Sequence, residues 1–157
     1  MAEVRFYHLT ETPLERALPT MLERTLARGG HAVVRGAHGE RLGFLNSHLW
    51  TYDDAGLLPH GIEGDADAAL QPIWLTTGTD RPNEAGTLFL IDGAEAGPDE
   101  MAALDVTAIL FDGHDPAAVE QARGQWRGVT AAGLQAVYWA QTPDGGWTKK
   151  AESAASA

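Results

Sequence analysis

Val4-Arg5-Phe6-Tyr7-His8-Leu9, then Thr12-Pro13-Leu14-Glu15, Gly29-Gly30 and His31-Ala32-Val33-Val34-Arg35, form the stretch that decides the architecture. The first run is short and β-prone. Thr12-Pro13-Leu14-Glu15 has the chemistry of a helix start: a cap residue, Pro in the first turn and an acid behind it. Leu14, Leu18, Met21, Leu22 and Leu26 then recur at helical spacing, and Gly29-Gly30 ends the helix. With a second strand at His31–Arg35 and only a short joint before it, the segment reads as a βαβ unit, which places its strands parallel.

Outward from there the alternation continues. Leu42, Leu45, Leu49 and Trp50 predict a second amphipathic helix, closed by Asp53-Asp54-Ala55-Gly56. The middle is irregular: Leu57-Leu58-Pro59-His60-Gly61, then acidic residues from Glu63 to Asp67. Strands are expected at Gln71–Thr77, Thr87–Asp92 and Val106–Phe111, the last almost wholly apolar, as suits a buried central position. Asp115-Pro116 opens a long helix that Gly133 ends, and Leu134–Ala140 is a further strand. Asp144-Gly145-Gly146 is a turn signal before Trp147-Thr148-Lys149-Lys150. Strands alternating with helices predict an α/β domain: three α/β/α layers, Rossmann-like, around a mixed and mostly parallel sheet. A chain of 157 residues suits one domain, expected over 1–150, with 151–157 a disordered tail of small and polar residues.

Charge is unevenly spread. The formal net charge is −11, yet residues 1–52 balance at +1, residues 53–106 at −11 and residues 107–157 at −1. An acidic surface repels phosphates, so general nucleic-acid binding is not expected. The acidic middle third reads as a solvated face that aids solubility. The four cations of the last third, Arg123, Arg127, Lys149 and Lys150, are not swamped by local acid. The absence of cysteine excludes disulfides, thiolate zinc sites and cysteine nucleophiles. The N-terminal residues lack the apolar run of a signal peptide, and no stretch approaches the ~20 apolar residues of a membrane span, so the expectation is a soluble, cytoplasmic protein.

Enzyme chemistry finds little purchase. Leu88-Phe89-Leu90-Ile91-Asp92-Gly93 and Ile109-Leu110-Phe111-Asp112-Gly113 look like strands ending in a Mg²⁺-holding Asp, but GxxxxGK[ST] is absent and no Lys precedes Lys149. An Asp-Gly turn at a strand end explains both. No GxGxxG follows the first strand, and Ser47 does not lie on a G-x-S-x-G elbow. The six histidines form no metal-ligand spacing, Asp112-Gly113-His114-Asp115 reads as a helix cap, and His60 reads as a loop histidine bonded to backbone. Neither a catalytic residue nor a metal or cofactor is expected. The alternative is an α/β enzyme or small-molecule or nucleotide binder that uses Asp92 and Asp112 with His60 or His114.

Two constellations remain. Arg123 and Arg127 are four residues apart on the last long helix, with Trp126 three from Arg123, so they share a face. Guanidinium forks take carboxylates bidentately, and an indole beside them suits an acidic peptide that ends in an aromatic residue. The bland reading is a core Trp flanked by snorkelling Arg. Leu49-Trp50-Thr51-Tyr52 with Leu57-Leu58-Pro59-His60 places large apolar groups in and beside a loop, either packed on the core or kept for a partner.

At these residues the chain resembles the chi subunit of bacterial DNA polymerase III, a clamp-loader accessory protein. The likeness runs in order through Phe6-Tyr7-His8-Leu9, Leu49-Trp50-Thr51-Tyr52, Leu57-Leu58-Pro59-His60-Gly61, Gln71-Pro72-Ile73, Leu88-Phe89-Leu90, Phe111-Asp112, Ala122-Arg123-Gly124-Gln125-Trp126-Arg127, Tyr138-Trp139 and Gly146-Trp147-Thr148-Lys149-Lys150. The resemblance implies a Rossmann-like fold without bound nucleotide and a non-catalytic adaptor. In that family the adaptor grips the acidic, Phe-ending C-terminal tail of single-stranded DNA-binding protein, and its tail-binding positions fall here on Arg123, Trp126 and Arg127. Its psi-facing surface falls on Trp50, Leu57 and Leu58, and psi links chi to the clamp loader. Contact with DNA is then indirect. Val119 and Glu120 stand where the family commonly has more basic charge, which leaves two alternatives: a weaker tail site, or one that draws on Lys149 and Lys150.

Overall fold

The computed structural model describes residues 2–52 and 58–154. The predicted helix stop at 53–56 and Leu57 lie outside the described residues. Eight strands form one sheet: β1 (Glu3–Leu9), β2 (Ala32–Gly36), β3 (Gly61–Ile62), β4 (Ile73–Thr76), β5 (Thr87–Ile91), β6 (Val106–Asp112), β7 (Gln135–Gln141) and β8 (Trp147–Ser153). Their spatial order is β3-β4-β2-β5-β6-β1-β7-β8. Neighbours pair parallel throughout, save β7 with β8. Among the described residues, four α-helices, α1 (Leu14–Ala27), α2 (Gly39–Thr51), α3 (Pro98–Ala102) and α4 (Pro116–Ala131), accompany the sheet, with a 3₁₀ turn at Ala68–Leu70. The three-layer α/β/α expectation is met.

The layers follow from a period of two carried by strands that are apolar on both faces. Leu9, Val34, Phe89, Ile91 and Leu110 pack with Leu18, Leu22, Leu42, Leu45 and Leu49 of α1 and α2. Phe6, Val33, Leu88, Leu90 and Ile109 pack on the opposite side with Met101, Ala122 and Val129 of α3 and α4. Because α1 carries the chain from β1 to β2 while α4 crosses β1 to reach β7, the two helices leave the middle of the sheet on opposite faces.

Three local features depart from the sequence reading. Thr12 does not cap α1: the cap position is Pro13, without a side-chain bond, and Thr12 Oγ1 accepts from Gln141 Nε2 at 2.7 Å. The Gln141 Oε1 in turn accepts from the amides of Thr10, Glu11 and Thr12 at 2.8–3.1 Å, so a residue far along the chain satisfies this turn. Second, Pro19 sits inside α1 and cannot donate to the Glu15 carbonyl four residues back. His48 Nε2 on α2 donates to that carbonyl at 2.7 Å, replacing the missing helical bond and locking α2 to α1. Third, Ala151–Ser153 are not a disordered tail. They continue β8 and pair with Tyr138, Val137 and Ala136 of β7, whose amides and carbonyls would otherwise form an open sheet edge. α3, β3 and the 3₁₀ turn are too short to leave a periodic signal, and the sequence reading does not contain them.

The buried face of β2 includes one charge. Arg35 is 5% exposed. Its guanidinium forks onto the Glu100 carboxylate of α3, with Nη1 to Oε1 at 2.9 Å, and donates to the Glu95 carbonyl at 3.2 Å. Its Nε is buried without a partner among the described residues.

Candidate functional site

α4 begins as the sequence predicts, with Asp115 accepting from the Ala117 amide at 3.0 Å and Pro116 in the first turn. Ala122 and Val129 are buried, and Val119 and Trp126 pack beside them, so the inward stripe is set by residues three, four and seven apart. Arg123 and Arg127 fall on the flank of that stripe. Their side chains are 65% and 68% exposed. Each guanidinium lies 3.6–3.7 Å from the Glu120 carboxylate, too long for a hydrogen bond and solvent-screened, so neither is locked by an internal acid.

Between α4 and β7–β8 lies a cleft of about 350 Å³, bounded by Arg123, Trp126, Arg127, Tyr138 and Ala151. Its floor is an aromatic stack. Trp126 meets Phe6 edge-on at 5.3 Å and Tyr138 at 6.0 Å, and Tyr138 stacks on Phe6 at 6.4 Å. Tyr138 is held by its hydroxyl, 2.7 Å from His8 Nδ1. Burial pushes the phenol above its ordinary pKa, which Arg123 only partly counters, so the group stays neutral and donates. Burial likewise pushes His8 below its ordinary value of 6.5, with His114 and Arg123 adding to the effect and a backbone bond to Gly113 opposing it. A neutral His8 accepts the Tyr138 proton through Nδ1. Because the folded value is the lower one, this contribution to stability is complete above pH 6.5 and is lost as pH falls below it. Wild-type protein should therefore lose unfolding midpoint more steeply below pH 6.5 than a His8→Asn variant, which has no imidazole to protonate, compared by urea titration across pH.

Tyr138 and Ala151 are part of the cleft that sequence reading missed. Their signal was absent because both reach the site only through the β7–β8 pairing. Lys149 does not supplement the cleft. It lies 5.9 Å from the Trp139 ring on the other side of the sheet and pairs with Glu152 at 3.4 Å. Lys150 is exposed where the β7–β8 register shifts.

The second predicted surface is divided. Trp50 is 52% exposed, its ring 4.1 Å from that of His60. Leu58 is 1% exposed and belongs to the core, so it presents no side chain to a partner: the Pro59 loop folds inward there to cover α2. His60 is buried with its ring nitrogens 2.7 Å from the Leu58 carbonyl and 3.0 Å from that of Asn46.

A crevice of about 850 Å³ opens at the carboxyl ends of β1, β5 and β6, where nucleotide-binding folds place their ligands. It gathers Asp92, Asp112 and His114, but not His60. Asp92 accepts from Arg41 Nε at 3.0 Å, Asp112 accepts from the His114 amide at 2.9 Å, and His114 Nε2 donates to the Thr10 carbonyl at 2.7 Å. These groups are engaged in closing strand ends. Among the described residues, no three His, Asp or Glu side chains are grouped to hold a metal ion, and no helix is long and apolar enough to cross a membrane.

The sequence model of the family described as DNA polymerase III chi subunit, HolC, matches residues 1–137. The chain belongs to the DNA polymerase III chi subunit family. A "Probable DNA polymerase III subunit chi" from Rickettsia prowazekii (strain Madrid E) is 29% identical over 91 residues, 58% of this chain and 55% of that protein. The chain thus matches about half the length of that curated relative. The matched span contains Arg123, Trp126 and Arg127, whereas Tyr138 and Ala151 of the same cleft lie beyond it.

Proposed function

We propose that this chi-family protein is a non-catalytic adaptor whose α4 cleft holds the acidic C-terminal tail of single-stranded DNA-binding protein. The same chain links that protein to the clamp loader, through psi at the Trp50 surface. The observation that carries the reading is the pairing of an aromatic-floored cleft with two exposed, unlocked guanidinium groups at its rim. A Phe side chain fills the cleft, while Arg123 and Arg127 face the terminal carboxylate and the acids before it. Trp50, half exposed and braced by His60, supplies the kind of aromatic anchor that interfaces favour.

The test is a calorimetric titration of the full chain with a tail peptide ending in Phe, run with a free and an amidated terminus. Affinity in the micromolar range, about −8 kcal/mol, is expected for the free acid, weakening with salt. Arg127→Ala should cost ~1–3 kcal/mol, the range of a charge-assisted bond, and amidation should weaken binding similarly. Lys149→Ala should change nothing, since Lys149 lies across the sheet. Equal affinity of wild type and Arg127→Ala would reject the cleft. Trp50→Ala should leave the peptide titration intact and abolish pull-down of psi.

A further inference from the structure

On the opposite face of the sheet, where the last two turns of α1 stand over β5 and β6 beside β1, β7 and β8, lies a second and smaller cavity of about 210 Å³. Arg5, Tyr7, Arg24, Arg28, Trp139 and Trp147 bound it. Tyr7 and Trp147 meet edge to face at 5.1 Å, and Lys149 Nζ stands 5.9 Å from the Trp139 ring. Cations at the C-terminal end of a helix are favoured by its dipole, but the dipole does not account for three aromatic side chains left around an open cavity beneath them.

The charges sort into two groups. Arg5 is bonded to Glu3, and Lys149 to Glu152 at 3.4 Å. Arg24 and Arg28 are exposed and make no ion pair with any described residue. They lie four residues apart, hence on one helix face at the mouth of the cavity. Two uncompensated guanidinium groups match a phosphate monoester, which carries roughly −1.5 to −2 near neutral pH, better than a single carboxylate. The cavity falls below the ~300 Å³ at which drug-sized pockets begin, so it takes one ring and little more. Indole and phenol walls suit a flat heterocycle. The net charge of −11 opposes a long polynucleotide on this chain, leaving a single phosphate-bearing ring as the occupant.

We infer that this cavity is a binding site for a nucleoside monophosphate unit, its base among Tyr7, Trp139 and Trp147 and its phosphate on Arg24 and Arg28. The unit is a free nucleotide or the 5′-phosphorylated end of a single strand. The site is independent of the α4 cleft, which faces away from it.

Calorimetry on the full chain with adenosine monophosphate, adenosine, inorganic phosphate, and a short oligonucleotide with and without its 5′-phosphate tests this. Adenosine monophosphate should bind at least tenfold more tightly than adenosine or phosphate alone. Arg24→Ala and Arg28→Ala, exposed positions that leave the fold intact, should each weaken it about tenfold, and Trp139→Leu similarly, whereas Arg127→Ala should leave it unchanged. Stronger binding of the phosphorylated oligonucleotide than of the mononucleotide assigns the strand end; the reverse assigns the free nucleotide. Equal binding of nucleoside and nucleotide, indifference to the Arg24→Ala/Arg28→Ala double variant, or no heat at millimolar nucleotide would overturn the proposal.

Discussion

Gly113→Ala should lower stability by about 2–4 kcal/mol and weaken tail-peptide binding at the same time. Gly113 closes the turn from β6 into α4, and its amide donates to the Leu9 carbonyl at 2.7 Å. A Cβ placed there would overlap the His8 ring and lie 2.7 Å from the Leu9 carbonyl oxygen, which is backbone and cannot swing aside. Overpacking of this kind costs about 1–3 kcal/mol. Displacing His8 also breaks its bond to Tyr138, adding about 1 kcal/mol. Tyr138 is a wall of the α4 cleft, so the damage reaches binding without touching either arginine. Gly128→Ala is the control. It lies in the same helix as the cleft, a Cβ there meets nothing within 4 Å, and the exchange should raise stability by about 0.5–1 kcal/mol through helix propensity alone. Urea unfolding of both variants, with the peptide titration repeated on each, checks the pair. A Gly113→Ala protein as stable as wild type would show that the β6–α4 turn has slack the close approach denies.

Glu100→Ala should cost about 3 kcal/mol, although Glu100 is in a five-residue helix that sequence periodicity does not reveal. Removing it leaves the Arg35 charge inside the domain with the Glu95 carbonyl as its hydrogen-bond partner, the Asp80 carboxylate at longer range and one orphan Nε–H. Losing one partner of a buried pair costs about 3–5 kcal/mol, and the lower end applies because the Glu100 side chain is 32% exposed and water can enter beside it. Arg35→Met should cost far less than Glu100→Ala, because an apolar chain of similar length fills the site without a charge to desolvate. The double variant Arg35→Met/Glu100→Ala should therefore be more stable than Glu100→Ala alone, a reversal that denaturant midpoints read directly. If Glu100→Ala shifts stability by less than ~0.5 kcal/mol, the pair behaves as a surface ion pair and the buried charge is solvated by another route.

The same two cases separate what local sequence can encode from what it cannot. Helix period, glycine stops and the apolar runs at Val4–Leu9 and Val106–Phe111 act over a few residues, so the strand–helix alternation and the three layers were legible from them. Asp115 as a cap and Arg123, Trp126 and Arg127 as one face are also local, set by the pitch of a single helix. Leu58 was legible only as a loop leucine. Whether it faces a partner or the core depends on how Pro59 turns over α2, and the turn buries it. Lys149 is one residue from Lys150 and two from Ala151, yet the pleat and the register shift in β8 send it to the opposite face from the cleft.

By itself, then, the order of residues settled the class of fold, the acidic middle third and the cationic, indole-bearing stretch of the last long helix. Tertiary structure alone decided that Tyr138 and Ala151 complete that stretch into a cleft, that Gln141 and His48 satisfy backbone groups far from them in the chain, and that Arg35 is neutralised by Glu100. The physical reason is separation along the chain. Hydrogen bonds and packing tie β1 and the turn after it to α4 and β7 across more than a hundred positions, and no periodicity read along one segment records which other segment will lie against it.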